Sequence, residues 1–315
     1  MKAQNILQPN GKTATFITLD LKFDDPAKTK DALASLCGRL PAITHSLNLR
    51  YPESNFAMVM GFGAEAWKKL FPATPMPKEL APFEAIKGVK VDAVATHADL
   101  FFHLKGERED ICYEAATFVN EILGEVTTPV DETHGFRFYD GRAIIGFVDG
   151  TENPDTAESA EVAFIGDEDP DYAWGSYVFV QKYMHNMKEW NALTVEEQEK
   201  SIGRRKMDDL ELEDEQKREN AHNVVSKAVD AEGNELKILR ANTPFAEPSK
   251  NIFGTYFVGY SRTFTTTRQM LLQMFEGNPK GNYDRLLDFS TPVTGALFFV
   301  PSFDIIDKIA EGELE

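Results

Sequence analysis

Cysteine is nearly absent: Cys37 and Cys112 are the only two in 315 residues. They lie far apart and lack metal-binding spacing, so they form neither a disulfide framework nor a zinc site. Their simplest role is as small buried hydrophobes. Basic residues are also scarce, 33 Lys and Arg against 51 Asp and Glu, which gives a formal net charge of −18. Such a surface repels phosphate backbones, and no Lys/Arg cluster offsets it, so nucleic acid is excluded as a partner. No apolar run approaches the ~20 residues needed to cross a bilayer, so no membrane association is expected. The first ten residues lack the basic-then-apolar pattern of an export signal and carry no arginine pair. A reducing, cytoplasmic location is the expectation. Several enzyme templates are missing too. The six histidines, His45, His97, His103, His134, His185 and His222, include no His-Glu-x-x-His pair, which argues against a hydrolytic zinc centre. The chain also has neither a Gly-x-x-x-x-Gly-Lys phosphate loop nor a Gly-x-Ser-x-Gly elbow.

What is present reads as an α+β chain. Alternation and β-branched residues predict a strand over Thr13–Leu21. A helix is predicted from Lys28 to Leu40, with Leu33, Leu36 and Cys37 on one stripe and Pro41 as its end. Further strands are predicted at Asn55–Phe62, Val89–Val94 and Asp99–Leu104, and helices at Ala64–Phe71 and Glu109–Leu123. This order fits a split βαβ, ferredoxin-like pattern whose last strand the sequence does not place. The second half repeats the theme. It has a strand at Tyr172–Tyr183, a helix at Val195–Ile202, a strand at Asn251–Tyr260, a helix at Thr265–Phe275 and a strand at Gly295–Val300. Asn251–Tyr260 is similar to Asn55–Phe62, and Gly295–Val300 to Asp99–Leu104. The expected architecture is therefore two ferredoxin-like units with antiparallel sheets, residues 1–135 and 136–315, packed face against face. The second unit carries an insertion, about Thr194 to Arg240, with a charged run at Met207–Glu219 that reads as a solvated helix or surface loop.

Four residues stand out chemically. Asp149 lies in Gly146-Phe-Val-Asp-Gly150, where two glycines permit a left-handed or tight backbone path; a turn-capping aspartate would have the same local sequence. His222, between Asn220 and Asn223 and followed by two valines, fits a ring turned inward from a short helix, as an iron ligand or as a satisfied interior histidine. Arg240 ends the apolar run Leu236–Leu239 and needs a partner, either an acidic residue or a ligand. Asn242, two positions on in a predicted strand, faces the same side as Arg240. Asp149, Arg240 and Asn242 together make a set that can move a proton and stabilise developing negative charge.

These residues sit in stretches that together resemble a known family. Ile145-Gly-Phe-Val-Asp-Gly-Thr-Glu-Asn-Pro154 is similar to the Gly-x-x-Asp-Gly signature of the dye-decolourising peroxidases, which bind haem. Asn220-Ala-His-Asn223, Ile238-Leu-Arg-Ala-Asn-Thr-Pro-Phe245 and Tyr283-Asp-Arg-Leu-Leu-Asp-Phe-Ser-Thr-Pro-Val-Thr-Gly295 follow in the family's order. The compact length resembles the cytoplasmic bacterial, YfeX-like branch. The resemblance implies a dimeric α+β barrel-like fold with haem b bound in the C-terminal unit. It implies His222 as the iron ligand, and Asp149 and Arg240 on the open face with Asn242 beside them. Asp288, or alternatively Asp284, is the expected acceptor for the other ring nitrogen of His222. Arg204, Arg205 and Arg262 are candidates to meet the haem propionates.

The implied reaction reduces hydrogen peroxide and oxidises organic donors, dyes or porphyrinogens, in single-electron steps. Asp149 would carry the proton and Arg240 would stabilise the charge, and an aspartate in the base role implies turnover favoured in acid. Haem storage, delivery or iron release on the same scaffold is the competing reading. A cofactor-free acid/base enzyme or an interaction module is a further one. A homo-oligomer is the expected assembly.

Overall fold

The computed structural model describes residues 3–314. In the first half, β1 (Thr13–Leu21), α1 (Pro26–Arg50), β2 (Ala57–Gly63), α2 (Ala64–Leu70), β3 (Leu100–Gly106), α3 (Glu109–Leu123) and β4 (Thr127–Phe136) follow one another. Next come α4 (Ser159–Ala163), β5 (Ser176–His185), α5 (Met187–Ala192), α6 (Val195–Ile202) and α7 (His222–Val225). The short strands β6 (Ala228–Val229), β7 (Glu235–Leu236), β8 (Leu239–Arg240) and β9 (Thr243–Glu247) lead into β10 (Ile252–Ser261). The chain ends with α8 (Phe264–Phe275), β11 (Ser290–Pro292), β12 (Ala296–Val300) and α9 (Phe303–Glu311).

The main sheet runs β4-β1-β3-β2-β12-β5-β10-β8, with β11 paired to β5 and β9 to β10. All these pairings are antiparallel. The path contains one topology twice. Numbering strands within each half, β4-β1-β3-β2 is the ferredoxin-like order 4-1-3-2, and β12-β5-β10-β8 reads 4-1-3-2 again. The duplication is therefore present, but shifted from the sequence expectation. β10 corresponds to β3, not β2, and β12 to β4, not β3. The likeness of Gly61-Phe62 to Gly259-Tyr260 is local, whereas the helix after each strand gives the correspondence: β3 is followed by the long α3, and β10 by α8. The barrel-like expectation is also corrected: among the described residues the path is open, with β4 and β8 at its ends and no ladder joining them.

The halves meet in two ways. At an edge, β2 pairs with β12 through Phe62↔Phe299 and Gly63↔Phe298. Across their faces, Phe16 stacks on Tyr256 with ring centroids 4.1 Å apart, and Phe101 on Phe298 at 5.4 Å. Val59, Phe101, Val178, Val180 and Val258 fill the same layer. The opposite faces carry the helices over a second core that includes Leu36, Cys37, Leu40, Trp67 and Cys112. Both cysteines are free and buried there, as small hydrophobes.

Three local expectations failed for physical reasons. Pro41 does not end α1, which continues to Arg50. Pro41 lies on the solvent side, and Leu47 extends the buried stripe about two turns beyond the helix end that was predicted, so packing outweighs the lost hydrogen bond. Val89–Val94 is loop, holding only an isolated Ile86↔Ala93 bridge. The segment Leu236–Asn242 is not one strand but two short pieces.

Trp67 on α2 has its ring centroid 5.1–5.9 Å from those of Phe62, Phe71, Tyr172 and Phe299, so one side chain couples both halves. It is fully buried, and its Nε1 has no hydrogen-bond partner. Trp67→Ala is expected to lower the unfolding free energy by about 3–5 kcal/mol, measured by urea titration. Trp67→Phe, which removes the unpaired N–H with most of the ring kept, is expected to cost much less.

Candidate active site

The Gly146–Pro154 stretch is an irregular loop, not a strand end. Gly146 and Gly150 have φ of 95° and 88°, the left-handed region that glycine enters without a Cβ penalty. Asn153 closes the loop onto β8 with a double hydrogen bond. Its Nδ2 donates to Arg240 O and its Oδ1 accepts from Arg240 N, both at 2.9 Å. This clamp, which the sequence reading missed, fixes Asp149 and Arg240 relative to one another. Its one signal was an amide within the same loop, next to Pro154.

Asp149 is held by Asn242, whose Nδ2 donates to Asp149 Oδ1 at 3.1 Å. The Asn242 amide orientation follows from its other partner. Val258 N of β10 can only donate, so Asn242 Oδ1 faces it, at 3.3 Å, and the NH2 group must face the carboxylate. Asp149 Oδ2 is left without a hydrogen-bond partner among the described residues. Arg240 is half-buried, and its guanidinium makes no ion pair or hydrogen bond among the described residues, although the chain has 51 acidic side chains. An arginine left unpaired in such a chain is available to an anion.

Across the same cavity, His222 begins the four-residue α7. Its Nδ1 lies 2.6 Å from Asp284 Oδ2. Asp284 is 0% exposed, and its Oδ1 also accepts from Leu286 N at 2.8 Å. A carboxylate only accepts, so Nδ1 carries the proton, and Nε2, with no partner, opens onto the cavity. Burial pulls the imidazole pKa down, but the Asp284 charge and hydrogen bond outweigh it, and the ring titrates above its ordinary value. His185 also lines the cavity, but both its nitrogens are engaged, Nδ1 with Ser290 Oγ at 2.8 Å and Nε2 with Thr255 Oγ1 at 2.9 Å. Burial lowers its pKa to about 4, so it stands neutral.

The cavity holds about 1250 Å³ counting its open mouth. Ile145, Phe147, Ile202, Ile238, Phe257, Met270 and Met274 give it apolar walls. Asp149, Arg240 and Asn242 also line a second cavity of about 920 Å³, whose other side is formed by the N-terminal segment Ile6–Gly11. The three residues therefore form a partition, with the large apolar chamber on one side and the second cavity on the other.

The structure thus brings together Asp149, Arg240, Asn242 and His222. Of the other expected residues, only Arg204 lines the chamber, and it is already paired with Glu152 at 2.7 Å and Asp209 at 2.9 Å. Arg205 pairs with Asp208 on the surface, Arg262 pairs with Glu168, and neither reaches the chamber. Asp288 does not touch His222. It accepts from Tyr283 OH at 2.8 Å and pairs with Arg285 and Lys90, so the contact falls to the alternative, Asp284.

Comparison with known proteins places this arrangement. Residues 3–137 match the family model for the N-terminal part of Dyp-type peroxidases, and residues 140–305 match that for the C-terminal part. The chain belongs to the Dyp-type peroxidase family. A dye-decolorizing peroxidase of Mycobacterium tuberculosis is 47% identical over 304 residues, which cover 96% of this chain and 89% of that protein. The crystal structure of a dye-decolorizing peroxidase from Bacteroides thetaiotaomicron superposes with a TM-score of 0.93 at 51% identity, covering 98% of both chains. A DypB variant from Rhodococcus jostii RHA1, solved in complex with heme, superposes with a TM-score of 0.90 at 43% identity, covering 97% of both chains.

The raised pKa of His222 sets a pH dependence in the haem-free protein. Below about pH 6.5, the unperturbed value, the ring is protonated in both folded and unfolded chains and the pair contributes its full stabilisation. That contribution is lost as pH rises through the higher folded value. Asp284→Asn keeps an acceptor but removes the charge, so the His222 pKa should fall and this slope should flatten. Histidine-resolved NMR titration with urea unfolding at several pH values measures both; an unchanged His222 titration would contradict the assignment.

Proposed function

We propose that the chamber holds haem b with His222 Nε2 as the iron ligand, and that Asp149 and Arg240 work on hydrogen peroxide at the opposite face. The protein is a haem-dependent peroxidase, oxidising organic donors with hydrogen peroxide. The single observation that carries the site assignment is the pairing of features across one chamber. A histidine nitrogen fixed in tautomer by a buried carboxylate lies on one side, and a carboxylate next to an unpaired arginine on the other. The apolar walls suit a large planar ring and the free His222 nitrogen suits its metal, so the residues present fit the group.

Bound there and held by His222, haem would supply the redox chemistry that reduces hydrogen peroxide and oxidises an organic donor in single-electron steps. The remaining work belongs to side chains. Asp284 keeps the proton on His222 Nδ1 and so keeps Nε2 free to donate its lone pair, and its negative charge makes the imidazole a stronger donor. Peroxide approaches through the second cavity and meets the partition. Asp149 Oδ2, the oxygen not engaged by Asn242, takes a proton from one peroxide oxygen and returns it to the other, which leaves as water. Asn242 holds the Asp149 carboxylate plane during this shuttle because Val258 N fixes the amide. Arg240 lies beside the negative charge that develops as the O–O bond lengthens, and it is already free of a counter-ion. The donor need not enter the chamber, so its size is not limited by the chamber walls.

The test separates catalysis from cofactor binding. Asp149→Asn is expected to lower kcat/KM for hydrogen peroxide by about 100- to 10,000-fold while leaving the haem absorption band and haem affinity intact. His222→Ala is expected to lose the haem itself. Full peroxide turnover in Asp149→Asn would overturn the proton-transfer role. A wild-type protein that binds haem but turns over no peroxide would point instead to haem storage or transfer.

A further inference from the structure

Away from the chamber, the end of β1 and the loop entering β3 bring two carboxylates and an imidazole together. His97 Nε2 lies 3.5 Å from Asp20 Oδ1 and 3.5 Å from Asp99 Oδ1. Among the described residues these three form the group whose ligand atoms all lie within 4.8 Å of one another. None of them lines the haem chamber.

The arrangement is poorly satisfied as it stands. Asp99 is 2% exposed, and its Oδ1 has no hydrogen-bond partner. Asp20 Oδ1 is likewise shielded from solvent and unpartnered. The separations are too long for N–H···O hydrogen bonds, which run to about 3.2 Å, and a single Nε2–H could serve only one of the two oxygens. Lys69 faces Asp20 as well, but its ammonium sits over the Phe23 ring, 4.9 Å from the centroid, and forms no ion pair with the carboxylate among the described residues. Two carboxylate oxygens thus converge on one imidazole nitrogen.

The separations do match another geometry. Four ligands around one ion at bonds of about 2.1 Å are about 3.4 Å apart along each edge of the tetrahedron. The buried carboxylate is also rigidly placed. Asp99 N donates to Leu19 O at 2.9 Å, its carbonyl accepts from Gly63 N at 2.8 Å, and its Oδ2 accepts from Leu21 N at 2.8 Å, which leaves Oδ1 aimed at His97. The His97 loop is tied down by Thr96 N donating to Gly295 O at 2.7 Å.

We propose that Asp20, His97 and Asp99 bind a first-row divalent cation of the zinc type, with one position left to solvent. One nitrogen and two monodentate oxygens suit such an ion better than calcium, which takes 6–8 oxygen ligands, or magnesium, which keeps an octahedral, mostly aqueous shell. His97 is 56% and Asp20 40% exposed, so the ion has a direct path from solvent. Bound, it ties the end of β1 to the entry of β3 and neutralises the facing carboxylates.

The test is isothermal titration of zinc chloride into the haem-loaded full chain, so that His222 is already occupied. The expected result is one zinc ion per chain, bound at least about 100-fold more weakly in both His97→Ala and Asp20→Asn. These partly exposed positions are chosen because Asp99→Asn would disturb a buried backbone cap. Zinc should also raise Tm in the wild type and not in the variants, with the haem band and peroxide turnover of the variants unchanged. Failure to bind one zinc ion per chain, equal binding in either variant, or calcium binding as tightly as zinc would each overturn the proposal. None of these outcomes bears on the haem site.

Discussion

The contact between Asp284 and His222 governs the arrangement of the second half of the chain. A fully buried carboxylate is costly unless donors satisfy it. Asp284 has two, the Leu286 amide on one oxygen and the His222 ring on the other. The requirement works in both directions. The carboxylate needs the ring nitrogen, and the ring is held with its other nitrogen toward the chamber. That is why α7 can be a helix of only four residues. It needs no stability of its own, because a side chain from the segment after α8 anchors its first residue. Asn220 reinforces this from the backbone side, with Nδ2 donating to Tyr283 O at 3.1 Å and its own carbonyl accepting from Arg285 N at 3.0 Å.

The opposite wall depends on β10. This strand pairs with β5 along its length and with β8 and β9 on its other edge, so it is among the least mobile parts of the sheet. Its Val258 amide orients Asn242, and Asn242 orients Asp149, so a loop residue inherits the rigidity of a central strand through two hydrogen bonds. The Asn153 clamp does the same for Arg240. A glycine-containing loop can thus present a carboxylate at a fixed position.

Much of this was legible in the sequence. Helices Glu109–Leu123 and Val195–Ile202 were read to the residue, because apolar periodicity and the capping Thr194 leave little choice. Asp149, His222, Arg240 and Asn242 were legible because each is a polar residue embedded in an apolar or glycine-marked context. What was not legible is spatial. Asp284 and Asp288 sit four residues apart in the same run, and only the 3-10 turn Arg285–Asp288 decides which one points inward. The strand correspondence of the duplication was misread because short motifs repeat locally while hydrogen-bond order is a long-range property. Pro41 was given the weight of an isolated helix, whereas the buried stripe through Leu47 decided the outcome. Arg205 and Arg262 looked like haem partners only because their own acids, Asp208 and Glu168, are invisible as partners until the chain is folded.

The charge balance explains how one arginine stays available in so acidic a protein. Around the chamber mouth, the inserted segment saturates its cations locally. Arg204 takes Glu152 and Asp209, Arg205 takes Asp208, Lys217 takes Glu211 and Asp214, and Arg218 takes Glu197. Most of these pairs are at least partly exposed and add little stability individually. Of these acids only Glu152 lines the chamber beside Arg240, and Arg204 already holds it. The backbone clamp from Asn153 then positions Arg240 through its main chain, so no side-chain partner is needed to hold it. Had a carboxylate anchored the guanidinium instead, its charge would already be neutralised. An arginine located by its backbone keeps its guanidinium unpaired among the described residues, open to an anion in the cavity.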